Sequence, residues 1–150
     1  MLQDLLSNHV LIVASLAWII GQFLKFPLDA ILNKRLNWGV MLSAGGLPSS
    51  HSAMVVAVML SIGLHDGFDT SLFALAATVA MIVVYDAAGV RRQAGIHAER
   101  INQIMKTLFE GSPIPEKELK EMIGHTPFEV IAGVILGFAI ALLVNRLLPA

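Results

Sequence analysis

The chain has 150 residues, 56% hydrophobic and 14% charged, with a formal net charge of -1 and no cysteine. With a mean hydropathy of +0.74, that balance lies outside the range of soluble domains and describes an integral membrane protein, one domain over residues 1–150. The missing cysteines exclude disulfides, thiolate catalysis and cysteine-ligated metals, and the near-neutral charge argues against a nucleic-acid partner.

The opening "MLQDLLSN" lacks the basic n-region of a cleavable signal peptide, so the first apolar stretch is expected to stay in the protein as a membrane helix. Four stretches approach the about 17–25 helical residues that cross a bilayer core. They are "HVLIVASLAWIIGQFLKF", "SSHSAMVVAVMLSIGL", "FDTSLFALAATVAMIVVY" and "PFEVIAGVILGFAIALLVN", the second being short. Between the first two, "PLDAILNKRLNWGVMLSAGGLP" predicts an interfacial or partly re-entrant segment. Between the last two, "HAERINQIMKTLFEG" and "PEKELKEMIG" predict amphipathic interfacial helices, the latter with Pro115 in its first turn. Small residues four apart, Ala53, Ala57 and Ser61 on the second span and Gly133 and Gly137 on the fourth, suit close helix contact. The expected fold is all-α, a polytopic membrane helix bundle of about four transmembrane helices with short amphipathic helices at the interface.

Antiparallel spans gather on one membrane face Lys25 near the end of the first span, "LPSSHS" at the start of the second, "YDAAGVRRQAG" after the third and "GHTPFE" before the fourth. Ionisable groups at span ends are costly, and their placement on one side is what a single interfacial site requires. The opposite face carries only the N-terminus, "HDGFD" and "NRLLPA", and His9, His65 and His97 need no functional explanation.

A phosphate site needs backbone N–H groups at a helix start, small hydroxyls and cations. "GGLPSSHS" supplies the first two, through Ser49 and Ser50, and Lys25, Arg91 and Arg92 the third, with Asp86 placed to hold one of the arginines. Metal-free cleavage needs a nucleophile and an acid, and His51 and His125 each stand at a span start on this face. Glu129, four residues after His125, suits a carboxylate that holds one ring nitrogen if the helix includes both residues. Plainer readings stand beside these. Thr126, Pro127 and Glu129 form a capping box by themselves, Ser49 or Ser50 is an ordinary N-cap, and Lys25 and the arginine pair suit helix dipoles and topology. No compact metal-ligand spacing occurs and no cofactor is expected.

"GHTPFEVIAG" resembles the third signature of the type 2 phosphatidic acid phosphatases, and "LPSSHS" is similar to their second. With the order of lysine, serine–histidine loop and histidine–acid helix, most of the chain resembles the divergent membrane branch of that superfamily (PAP2-like). The resemblance implies a lipid phosphate or pyrophosphate phosphatase working through a phosphohistidine. In it His125 is the nucleophile, Glu129 its orienting carboxylate and His51 the general acid, while Lys25, Ser49, Ser50 and Arg91 or Arg92 bind phosphate; the alternative is a non-catalytic relative that binds or moves a lipid phosphate. The chain departs from the signatures in four places. No arginine–proline pair follows Lys25, Leu119 stands six residues before His125 where an arginine is expected, Ser50 replaces a glycine, and Glu129 replaces an aspartate. Four spans where such proteins commonly have six imply completion by self-association, most simply a two-fold homodimer among membrane lipids. All Lys and Arg except Arg146 lie on the motif-bearing side, which predicts that this face is cytoplasmic in a bacterial-type plasma membrane.

Overall fold

A computed structural model describes residues 7–34, 36, 38–43, 45–108 and 125–148, together with 3 and 5. Among the described residues five α-helices follow in order: α1 (His9–Asn33), α2 (Ser50–Asp66), α3 (Ser71–Ala88), α4 (Val90–Leu108) and α5 (Pro127–Leu147), with a short 3-10 helix, η1 (Trp38–Leu42), after α1. No strand occurs among the described residues. The second expected amphipathic helix, "PEKELKEMIG", lies outside them.

Helix starts follow the caps in the sequence. Asn8 accepts from the Leu11 N–H at 3.0 Å to begin α1, Ser49 accepts from Ser52 at 3.3 Å to begin α2, and Thr70 accepts from Phe73 at 3.2 Å to begin α3. Each satisfies an amide that the first turn leaves without a helical partner. The helix α1 does not stop near Lys25 as expected. It runs through Pro27 to Asn33, because a proline removes a single N–H from the ladder, a loss that membrane helices tolerate. The first third of the expected re-entrant segment is therefore helix, and beyond it Trp38 of η1 stacks on Phe26 at 4.2 Å.

Among the described residues three helices, α1, α5 and the run that begins with α3, are long and apolar enough to cross a membrane. The expected second span, α2, has only 17 residues, about 25 Å at the α-helical rise, and polar turns at both ends shorten its apolar part. It is the centre of the bundle, packed against α1, α3 and α5. The junction at Gly89 keeps a helical ladder, Gly89 to Tyr85 at 2.9 Å and Gln93 to Gly89 at 3.0 Å. Hence α4 starts at Val90, earlier than its amphipathic pattern indicates.

Small and polar residues line the helix contacts, Leu60, Ile140 and Val144 join them in the core, and many of the large apolar residues face outward. On α1, Val13, Ala17, Gly21 and Lys25 are buried; on α2, Ser49, Ala53, Ala57 and Ser61; on α5, Gly133, Gly137 and Ala141. In each set the residues are four apart, a repeat that brings backbones together along one stripe. A Cβ on Gly133 would collide with the Ser49 carbonyl oxygen and one on Gly137 with that of Ala53, while one on Gly21 would lie 3.0 Å from the Ser50 Cα. Leu75, Met81, Ile82, Ile131, Ile135 and Leu143 are exposed, as befits side chains whose solvent is lipid.

The face opposite the motifs is less bare than expected. Asn145 donates to Ser61 Oγ at 3.4 Å, Ser61 Oγ lies 3.5 Å from His9 Nδ1, and the His9 and His65 rings stack at 6.0 Å. Ser61 is fully buried, so this network satisfies a hydroxyl that the helix contact would otherwise strand.

Candidate active site

The starts of α2 and α5 meet. The Ser49 N–H donates to the Glu129 carbonyl at 3.0 Å, an approach that Gly133 permits by having no side chain. The His125 N–H donates to the Ala87 carbonyl at 3.4 Å, which brings in the end of α3. From α1, Gln22 accepts from Ser50 Oγ at 3.0 Å. The four segment ends expected on one face are thus in contact.

His125 stands one residue before the N-cap of α5, outside the helix, and is 3% exposed. Its Nδ1 lies 3.3 Å from Glu129 Oε2, and the same oxygen accepts the Thr126 N–H at 2.8 Å. The Thr126 hydroxyl accepts the Glu129 N–H at 3.3 Å to complete the capping box. Capping and histidine orientation, alternatives in the sequence, are therefore performed together by one carboxylate. The expected requirement that the helix contain both residues does not hold; the capping turn itself delivers His125 to Glu129.

An ionised carboxylate only accepts, so Nδ1 donates to Glu129, and in the neutral ring that tautomer leaves the lone pair on Nε2. Nε2 is enclosed and has no hydrogen-bond partner among the described residues. A buried polar atom without a partner calls for an explanation, and reactivity is one.

Lys25, 1% exposed, is the only buried lysine or arginine among the described residues. Its Nζ donates to the Ser43 carbonyl at 2.8 Å and is attracted across the cluster by Glu129. Gly46, at φ +97, turns the loop over the lysine stem; a left-handed conformation of this kind favours glycine. Ser49 and Ser50 are wholly buried, and Ser49 Oγ accepts from the Ser52 hydroxyl at 2.9 Å. His51 is half-buried in the first turn of α2.

The arginines are not drawn in alike. Arg92 is exposed on the first turn of α4, the Arg91 side chain lies outside the described residues, and Asp86 is half-buried near the end of α3. No group of three or more His, Asp or Glu able to hold a metal occurs among the described residues.

Sequence reasoning missed Gln22, Ser43, Ser52 and Ala87. Ser43 and Ala87 act through backbone carbonyls, which no side-chain pattern reveals. Gln22 had a signal: a polar residue inside an apolar span, three before Lys25 and so on the same helix face.

Residues 6–140 match the family model described as the Divergent PAP2 family. The chain belongs to the Divergent PAP2 family. It is also 39% identical to the uncharacterized membrane protein YuiD of Bacillus subtilis (strain 168), over 93% of this chain and 95% of that one. No solved structure matches the chain. This Divergent PAP2 family member thus keeps a histidine–carboxylate pair and a serine-capped helix start in one buried cluster.

Proposed function

We propose that this Divergent PAP2 family protein is a metal-independent phosphatase of lipid phosphates or pyrophosphates. The observation that carries the reading is the Glu129-bound His125, with Nδ1 engaged and Nε2 without a partner among the described residues, beside the start of α2. The His125 Nε2 lone pair attacks phosphorus, and the bond from phosphorus to the lipid oxygen breaks. His51 gives its proton to the departing oxygen, releasing the lipid alcohol, or the lipid monophosphate from a pyrophosphate. Water then attacks the phosphohistidine and gives a proton to His51, and the N–P bond breaks to release inorganic phosphate and restore both rings. Glu129 stabilises the imidazolium character that develops at His125, while Lys25, Ser49, Ser50 and Arg91 or Arg92 hold the phosphate oxygens. The site faces the cytoplasm of a bacterial-type plasma membrane, by the distribution of basic residues, and two copies complete the unit as a homodimer.

The test is phosphate release from polyprenyl and glycerolipid phosphates by the purified protein and His125→Ala side by side. Turnover that vanadate inhibits and the variant lacks supports the reading; equal rates in both overturn it.

One observation favours a second reading, a protein that binds or moves a lipid phosphate without cleaving it. Lys25 alone supplies buried positive charge among the described residues, while Arg92 is exposed. Saturable lipid-phosphate binding with no phosphate release decides for that reading.

A further inference from the structure

The Ser50 hydroxyl is wholly buried and donates to Gln22 Oε1 at 3.0 Å. In that arrangement it offers a neighbouring ligand only oxygen lone pairs, whereas a phosphate oxygen needs a proton donor. A glutamine amide carries an acceptor on one side and two donors on the other, on a terminal torsion with a broad, roughly two-fold profile. Half a turn of the amide places Nε2 against Ser50 Oγ. The serine then accepts from Gln22, and its own proton is released.

The pairing is held by the backbone as well as by the side chains. Gly21 lets α1 approach so closely that a Cβ there would lie 3.0 Å from the Ser50 Cα. Gln22 is half-buried, and Lys25, three residues along α1, is enclosed. The two side chains share a helix face.

We propose that Gln22 is a positioning residue of the phosphate site, whose amide orientation determines whether Ser50 presents a lone pair or a proton to a lipid phosphate. The inference rests on the phosphate-site reading above and extends it to a residue outside the signature motifs. Gln22 acts through Ser50 and has no part in bond cleavage.

The experiment is a double-mutant cycle in the full chain, with Gln22→Met and Gln22→Glu each made in the native and Ser50→Ala backgrounds. The readouts are kcat and KM for phosphate release, and the affinity for orthovanadate from its stabilisation of the purified protein. A hydrogen bond to a charged anion contributes about 1.5 kcal/mol or more, or about tenfold in affinity. Gln22→Met takes away the amide that turns the Ser50 proton toward the anion, and is therefore expected to raise KM and weaken vanadate about tenfold with kcat nearly unchanged. Gln22→Glu, which only accepts, pins the Ser50 proton and weakens both further. In the Ser50→Ala background, Gln22→Met has no additional effect, and Gln22→Glu keeps only the repulsion of its charge.

If the native protein works but Gln22→Met changes neither KM nor vanadate affinity, or changes them equally in both backgrounds, the inference fails while the phosphate-site reading survives. Binding without turnover leaves the cycle readable in vanadate affinity. If the native protein neither releases phosphate nor binds vanadate, the phosphate-site reading fails and takes the inference with it.

Discussion

The Ser49 N–H and the Glu129 carbonyl oxygen are 3.0 Å apart, so the N-cap of α2 is bonded to the glutamate of the α5 capping box. The serine–histidine loop and the histidine–glutamate turn are thereby held in one place. Close backbone contact at Gly133 makes this possible.

Gly133→Ala tests that contact. The added methyl would meet the Ser49 backbone, which has no rotamer by which to yield. Overpacking of this kind costs about 1–3 kcal/mol, so the expected result is a lower midpoint of thermal unfolding in detergent, with phosphate release reduced because Ser49 is displaced.

Glu129 and Thr126 separate capping from orientation. Glu129→Gln keeps an oxygen able to accept from Thr126 and so preserves the capping box, but it removes the charge beside His125. Phosphate release is expected to fall about a hundredfold or more, with stability changed by less than about 0.5 kcal/mol. Thr126→Ala should do the reverse, costing about 1 kcal/mol in unfolding free energy with the rate largely retained. Paired rate and unfolding measurements on the two variants check this crossover.

The comparison of sequence and structure turns on particular residues. Caps at Ser49 and Thr126 were readable because each places a side-chain oxygen beside a known orphan amide, whereas those at Asn8 and Thr70 were not read from the sequence. The small-residue stripe of α2 and α5 was readable from its spacing. The end of α1 was not, since Pro27 and the polar residues after it look like a terminus although the backbone continues to Asn33. Nor was the network of His9, Ser61 and Asn145, whose members are 52 and 84 residues apart and meet only through the bundle. At the site, residue types and spacing pointed to His125 and Glu129. The single oxygen that serves both Thr126 and His125 is a matter of angles, which spacing does not carry.

Lys25→Met removes a charge with little change in side-chain length. Replacing a buried ion by an apolar side chain is often neutral or stabilising, so the unfolding midpoint is expected to hold or rise. A hydrogen bond to a charged group contributes about 1.5–3 kcal/mol, and the KM for lipid phosphate should therefore rise about tenfold or more. Unchanged KM with a large loss of stability would assign Lys25 to the loop around Ser43 alone.

Orientation is open to direct labelling because the chain has no native cysteine. Asp69→Cys, between α2 and α3, should react with a membrane-impermeant maleimide added to intact cells. Gln103→Cys, on α4, should react only after the cells are opened. The opposite pattern would place the site outside and reverse the proposal drawn from the basic residues.

The most direct measurement is mass spectrometry of the protein rapidly quenched, at a pH that preserves phosphohistidine, during turnover of a lipid phosphate. A phosphoryl group is expected on His125, absent in His125→Ala, and increased in His51→Ala if the lost acid slows hydrolysis of the intermediate more than its formation. Turnover by the native protein with His125 unmodified, or undiminished turnover by His125→Ala, would contradict this mechanism.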